Sequence, residues 1–437
     1  MEISLQDILD ARENRARRQA ALLSIHSGAL ICFTMNIAGP VKHSPLIEAG
    51  FRLGQQRLKR CFARQYEEEH LAPTGCEYYC IVAGDPEAVK RQTAQMEDST
   101  PAGRLFDMDA LTARGKISRE QVGLAPRKCL LCDGDARICG RSRAHSVQAL
   151  QAETTRLLRE DLSCHIGELA SQSLKTEALT TPKPGLVDQN NCGSHRDMDL
   201  SLFLSSADAL EGYFVRCARI GMETADRSPG ETFLRLRAEG LAAEQTMYRV
   251  TGGVNTHKGA IFTLGLLCGA SGRTLSRRPE ALLSEVKAMT AGLAARDFAG
   301  ITAENSATAG QRLFAQHGIT GVRGQAEQGF PAVLRAGLPV LEEGLKNGLS
   351  LNDAGCAALL HILAATDDTN MINRSDPATA TKIRNQVAEV LSRTPYPNRE
   401  TLLALDRAFI EKNLSPGGSA DLLAATCFLH FWKEEVR

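Results

Sequence analysis

The chain has 437 residues, enough for two or three folded domains. With 43% hydrophobic and 23% charged residues, it is not a largely disordered polypeptide. The 51 Lys and Arg balance 51 Asp and Glu, and aromatics reach only 5% with a single Trp, Trp432, which argues against a dedicated nucleic-acid binder or a repeated base-stacking platform.

The first segment mixes Glu2, Asp7 and Asp10 with Arg12, Arg15, Arg17 and Arg18, without the apolar run of a secretory signal. The longest apolar stretches, Ala29–Met35 and Gly259–Ala270, fall short of the roughly 18 residues of a membrane span. Thirteen cysteines in a chain of this kind read as reduced thiols, so a cytoplasmic location is expected. Gly28–Ile37 reads as a buried strand, Pro45–Arg64 as a helix, and Glu77–Val82 as a second strand. Asp85 caps a helix starting at Pro86, and Leu105–Leu111 is a third strand. Such alternation predicts an α/β or α+β domain over 1–150.

Ser146–Lys175 then reads as one long helix, and no β alternation follows. Helices are predicted over Asp199–Ile220, Glu231–Tyr248, Ala260–Gly269, Pro279–Ala294, Ala354–Ala365, Ala378–Leu391 and Leu422–Val436. The expected architecture is therefore multidomain: an N-terminal α/β (α+β) domain followed by a larger, mostly α-helical domain over 151–437.

Asp107 and Asp109 sit two apart on the third strand, so both face one side. Such a pair can hold a divalent metal against a triphosphate, although a short D-x-D is more often solvated. Residues 127–145 carry five Lys or Arg against two Asp, a composition suited to phosphate. Cys129, Cys132, Cys139 and His145 offer a Cys3His zinc set. Reduced structural thiols are the favoured reading, because C-x5-H is an uncommon knuckle spacing; a redox Cys-x-x-Cys is weaker still, because Leu130-Leu131 predicts burial.

Four polar, Gly-rich loops interrupt the helical half: Thr181–Asp188 running on to Asp199, Thr251–Gly259, Asp367–Asn370, and Ser415–Asp421. Each alone fits a structural turn or cap. Together, loop ends of a helical domain build a site in which Lys183, Asp188, His195, Asp197, Asn255, His257, Lys258, Asp367, Asp368 and Asp421 supply metal ligands, phosphate donors and a base. The Thr251 loop is not a Walker A loop, and no G-x-S-x-G or Ser-His-Asp spacing marks an acyl hydrolase.

The stretches TPKPGLVD (181–188), GSHRDMD (193–199), TGGVNTHKGAIF (251–262), DDTN (367–370) and SPGGSADLLA (415–424) resemble triphosphoribosyl-dephospho-CoA synthase. FTMNIAGPVK (33–42), GRLFDMDA (103–110) and RKCLLCDGDARICGRSRAHS (127–146) resemble apo-citrate lyase phosphoribosyl-dephospho-CoA transferase, also called holo-citrate lyase synthase. Together they resemble the fused bifunctional form.

The resemblance implies two linked reactions. ATP and 3′-dephospho-CoA give 2′-(5″-triphosphoribosyl)-3′-dephospho-CoA and adenine in the helical domain. The N-terminal domain then passes phosphoribosyl-dephospho-CoA to a Ser of the citrate lyase acyl carrier (gamma) subunit, releasing pyrophosphate; a malonate decarboxylase carrier is a related partner. It further implies Mg2+ at Asp107 and Asp109, with Arg104, Arg127, Lys128, Arg141 and Arg143 on phosphates. In the synthase, Lys183, Asn255 and Lys258 would hold the triphosphate, and Asp188, Asn370 and Asp421 would bind substrate. Asp197, Asp367 and Asp368 would serve as metal or oxocarbenium ligands, and His195 or His257 as the base. One departure is Gln325, in Arg323-Gly-Gln325-Ala326, where the family pattern has Glu; it cannot act as a base. The competing readings are a metal-dependent nucleotide or ADP-ribose N-glycoside hydrolase and a zinc-stabilised basic module on a helical scaffold.

Overall fold

The computed structural model describes residues 3–434, and the chain divides into two units between Leu162 and Ser163. The first unit runs α1 (Leu5–Ile25), β1 (Ala29–Met35), α2 (Pro45–Cys61), β2 (Arg64–Ala72), β3 (Gly75–Val82), α3 (Pro86–Ser99), β4 (Phe106–Thr112), β5 (Gly115–Lys116), α4 (Ala136–Ser142) and the start of α5 (Val147–Leu179). Its five strands form one antiparallel sheet in the order β2-β3-β1-β4-β5. Central β1 has six of seven residues buried, which explains its unbroken apolar run. On β4 burial alternates: Phe106, Met108 and Ala110 enter the core while Asp107 and Asp109 face the other way.

Helix α2 starts at Ser44, whose hydroxyl accepts from the Ile47 N–H, with Pro45 in the first turn. It lies directly on the sheet because Gly54 has no side chain: a Cβ there would fall 2.4 Å from the Phe33 ring. Phe33 in turn stacks on Phe51 at 4.8 Å and meets the edge of Phe106 at 5.2 Å. The unit is tied across its sequence by Asp161. Its carboxylate accepts both Arg57 guanidinium nitrogens at 2.9 Å, the Thr100 hydroxyl at 3.0 Å and the Ala102 N–H at 3.2 Å.

The second unit takes the rest of α5 and continues with α6 (Leu200–Glu223), α7 (Pro229–Val250), α8 (Lys258–Thr274), α9 (Pro279–Met289), α10 (Leu293–Asp297), α11 (Ala309–His317), α12 (Gly321–Glu327), α13 (Leu338–Lys346), α14 (Leu351–Ala365), α15 (Thr369–Arg374), α16 (Pro377–Arg393), α17 (Arg399–Glu411) and α18 (Gly417–Glu434). It contains no strand among the described residues. Helices α8, α14 and α18 are apolar nearly all round, and α18 packs against both of the others, the pattern of helices buried within a bundle. No described helix is long and apolar enough to cross a membrane.

The sequence places a domain break at 150; the two units divide twelve residues later, inside the 33-residue helix α5. Helix α1 and strand β2 have no counterpart among the predicted elements. The reason for β2 is its charge: Glu67, Glu68 and Glu69 lie on an edge strand, where acids suit solvent and discourage further pairing. The single helix expected over Pro279–Ala294 is two, broken where Gly292 adopts φ 70°. The expected helix over Leu422–Val436 starts earlier, at Gly417, and its end at Val436 lies outside the described residues.

Candidate active sites

In the second unit, Lys183, His195, Asp197, Asn255, His257, Lys258, Asn370 and Asp421 all line one cavity of about 230 Å³. The four Gly-rich loops therefore converge. The cavity lies against the N-terminus of α8, where the helix dipole favours anions. Asn255 accepts from the Lys258 N–H at 3.1 Å and sets this turn, while the Lys258 ammonium pairs with Glu244 at 2.8 Å.

Asp421 is the distinctive acid of the cavity. Its desolvation, together with the nearby charges of Glu177 and Asp368, pushes its carboxyl well above the ordinary carboxylate range, with only the Ala260 N–H opposing. The position is tight: a Cβ on Gly259 would lie 1.9 Å from Asp421 Oδ2. Gly259→Ala is accordingly expected to displace the carboxylate. If the cavity carries the adenine-releasing reaction that the sequence resemblance implies, that release should fall about a hundredfold. Carrier loading from preformed precursor should be unchanged. Equal adenine release by Gly259→Ala and wild type, measured by chromatography, would remove any role for this placement.

His257 is fully buried. Its Nδ1 lies 2.9 Å from Ser206 Oγ, and its Nε2 has no hydrogen-bond partner. Burial, with the positive Lys183 nearby, lowers it to about 3, so it is neutral at physiological pH. It suits a neutral hydrogen-bonding role better than that of a base. His195 is held from both sides: Arg374 donates to Nδ1 at 3.1 Å, and Nε2 lies 2.9 Å from Ser415 Oγ. Burial and Arg374 lower its pKa. With Nδ1 accepting, the neutral ring carries its proton on Nε2 and is not free to take another.

Lys183 is not an open phosphate ligand. It is buried, donating to the Glu177 carbonyl at 2.7 Å and pairing with its carboxylate. Asp188 is turned inward, accepting from the N–H groups of Lys183, Asn190 and Asn191, and does not line the cavity. It shapes the loop.

The expected Asp367–Asp368 metal pair does not converge. Asp367 is exposed and paired with Arg384. Asp368 is buried and caps α15; it accepts from the N–H groups of Asn370 at 3.0 Å, Met371 at 3.1 Å and Ser419 at 2.7 Å, and from the Ser419 hydroxyl at 2.9 Å. Of the three, Asp197 alone lines the cavity, and it is exposed. These three acids do not form a magnesium cage.

The first unit has a larger cavity, about 690 Å³, at the end of β1 and the start of β4. Arg104, Arg127, Lys128 and Arg143 line it, with Asn36, Cys129 and His145. Arg104 donates to the Cys129 carbonyl at 2.7 Å, and Arg127 to the Phe106 carbonyl. Arg141 is exposed on α4 and lies outside the lining. Asp107 and Asp109 do not line it either, because β4 alternation carries them to the opposite sheet face. There Lys116 pairs with Asp109 at 2.5 Å. Burial and the Asp107 charge still hold Asp109 above the usual range. An acid already neutralised by a lysine is not an open cation ligand, so the pair does not fit a resident magnesium.

Cys129, Cys132, Cys139 and His145 come together beside this cavity, their ligand atoms all within 4.8 Å of one another. Burial opposes ionisation of Cys129, but the N–H groups of Leu131 and Cys132 and the neighbouring thiols outweigh it and lower the thiol to about 7.

Three polar residues at or beside the 230 Å³ cavity escape sequence reasoning: Glu177, Arg374 and Asp406. Arg374 follows Asn370 by four residues on α15, one helical turn, so extending the DDTN motif along its helix would have found it. Asp406 accepts from the Gly185 N–H and the Asn191 amide, both at 2.9 Å, across more than 200 residues, a pairing with no local signal.

Two family models match the chain, one on each half. The family described as ATP:dephospho-CoA triphosphoribosyl transferase matches residues 163–437, and that described as apo-citrate lyase phosphoribosyl-dephospho-CoA transferase matches residues 3–161. Protein CitXG of Haemophilus influenzae is 37% identical, covering 98% of this chain and 96% of its own length. Protein CitXG of Leuconostoc mesenteroides subsp. cremoris is 34% identical, covering 98% and 97%. The 2-(5″-triphosphoribosyl)-3′-dephosphocoenzyme-A synthase of Haemophilus ducreyi is 40% identical over 68% of this chain and 98% of its own. With both halves matched, in this order and over nearly the whole length, the chain belongs to the fused family that joins an apo-citrate lyase phosphoribosyl-dephospho-CoA transferase to an ATP:dephospho-CoA triphosphoribosyl transferase.

Proposed function

We propose that the 230 Å³ cavity seats ATP with its triphosphate at the α8 N-terminus, beside Asn255 and Lys258, and its ribose C1 toward Asp421. The 2′-oxygen of 3′-dephospho-CoA bonds to that carbon. The bond to adenine breaks with its electron pair going to the purine nitrogen, the purine takes up a proton from water as it leaves, and Asp421 takes the hydroxyl proton. A carboxylate with a raised pKa is the appropriate base, because its affinity for a proton lies nearer neutrality than that of an ordinary acid. His257 Nε2 offers a neutral hydrogen bond, and Asn370 and Arg374 close the far wall. Asp197, exposed at the cavity, would hold a magnesium ion that offsets the triphosphate charge. The observation that carries this reading is the combination at one wall: a desolvated Asp421, an unbonded His257 Nε2 and a helix N-terminus.

In the first unit, Arg104, Arg127, Lys128 and Arg143 bind the triphosphate end of the precursor. The Ser hydroxyl of the citrate lyase acyl carrier (gamma) subunit attacks the phosphorus nearest the ribose, and pyrophosphate leaves into the basic wall. The protein's thirteen free thiols suit a reducing cytoplasm.

The test uses purified protein with Mg-ATP, with and without 3′-dephospho-CoA, following adenine and CoA-derived products by chromatography and mass spectrometry. Adenine is expected only with dephospho-CoA, together with an adduct that retains the triphosphate and then loads apo carrier. Adenine formed without the acceptor would replace this reading with a nucleosidase.

A further inference from the structure

Residues 127–146 form the basic wall of the first unit's cavity, and they are held by almost no core. Cys129 is the one buried residue of the segment; Leu131 and Ile138 are 37% and 68% exposed, and α4 buries nothing. The burial that Leu130-Leu131 led one to expect is thus absent at Leu131. A segment this polar needs a covalent or metal staple to hold one conformation.

The backbone brings such a staple together. The Cys129 N–H donates to the Gly134 carbonyl at 2.7 Å, and the Ala136 N–H to the Arg127 carbonyl at 2.9 Å, closing a tight hairpin over Cys129-Leu-Leu-Cys132-Asp-Gly134. The N–H groups of Leu131 and Cys132 point at the Cys129 sulfur. Asp135 then caps α4, which returns Cys139 over the hairpin. Arg143 ends that helix at φ 50°, in the left-handed region, and the reversal brings His145 back to the three thiols.

We propose that Cys129, Cys132, Cys139 and His145 bind a structural zinc ion that holds the basic wall of the transferase cavity. The Cys132 and Cys139 sulfurs lie 3.6 Å apart. Two thiolates on one tetrahedral zinc, each about 2.3 Å from the metal, stand about 3.8 Å apart. The pair is too far apart to be a disulfide and close to the zinc geometry. His145 Nε2 is shielded from solvent yet has no hydrogen-bond partner, an arrangement a metal bond would complete. Four protein ligands leave no open position, so the ion is a staple and not a Lewis acid. Three thiolates on a divalent ion leave one negative charge, which Arg127, Lys128 and Arg143 offset. Arg104, donating to the Cys129 carbonyl, links the ion's hairpin to the cavity.

The test is zinc content of the full-length protein, purified without a metal-affinity tag under reducing conditions and dialysed against zinc and then chelator-treated buffer. About one zinc per chain is expected, with an X-ray absorption signature of three sulfurs near 2.3 Å and one nitrogen. Cys132→Ser and His145→Ala should each lower retained zinc at least tenfold and reduce carrier loading from preformed precursor. Adenine release should be unchanged in both, which also shows that the chain has folded. Wild-type protein that neither retains nor takes up zinc would overturn the proposal, as would a Cys132–Cys139 disulfide found by peptide mapping of the freshly reduced protein. Zinc that stays stoichiometric in both variants would place the ion elsewhere and overturn it equally.

Discussion

Asp421→Asn is expected to lower adenine release from ATP and dephospho-CoA by ~10²–10⁴-fold, the usual loss when a positioned general base is removed. Asparagine preserves the volume between Gly259 and Ala260 but cannot take the hydroxyl proton. The pH profile separates this from a packing effect. Desolvation and the charges of Glu177 and Asp368 raise the Asp421 pKa, and the reactive form is the carboxylate. Turnover of the wild type should therefore climb with pH through a midpoint above the ordinary carboxylate range, and the variant should lose that limb. Stability moves the other way. The folded state holds the extra proton, so the stabilisation is present below the unfolded value and is lost as pH rises toward the folded one. His257, lowered to about 3, does not supply the limb. If Asp421→Asn retained both wild-type turnover and its acid limb, the base would have to be sought elsewhere in the cavity.

The second large effect concerns folding. Asp161→Ala is expected to destabilise the first unit by about 3–5 kcal/mol, since it strands the half-buried Arg57 and leaves the Thr100 hydroxyl and the Ala102 N–H without their acceptor. For a unit of this size that is a fall in melting temperature of about 10 °C. The single tryptophan, Trp432, lies in the second unit, so its fluorescence reports that unit while far-UV circular dichroism reports both. The dichroism transition should gain an early phase, and carrier loading should fail at lower temperature than adenine release. A variant whose dichroism melts as the wild type would show that the Asp161 pairs contribute nothing net.

Much of the layout was legible because its signals are local. Apolar runs marked β1 and β3, and Pro45, Asp85 and Asp199 marked helix starts that the structure places within one residue. The four Gly-rich loops could be named from sequence because glycine, proline and polar caps serve both turns and binding. What escaped was direction. Sequence shows that Asp367 and Asp368 are adjacent, but not that one faces Arg384 and solvent while the other is buried under Ser419. Likewise Lys183 looked like a phosphate ligand until its partner Glu177, six residues upstream on a buried helix face, came into view. The β4 alternation was readable, yet which side carries the basic cavity depends on how the 127–146 segment folds, and no short-range pattern encodes that.

Asp368 joins two stretches of chain 51 residues apart, the turn that carries Asn370 and the start of α18 that carries Asp421. Those two walls are consequently set relative to each other when the protein folds. The conformational entropy of ordering them is surrendered then and does not weaken nucleotide affinity later. On the proposed reading of this cavity, ATP would meet walls already assembled, and differences in affinity among nucleotides would reflect their fit to a preformed shape more than their power to organise one.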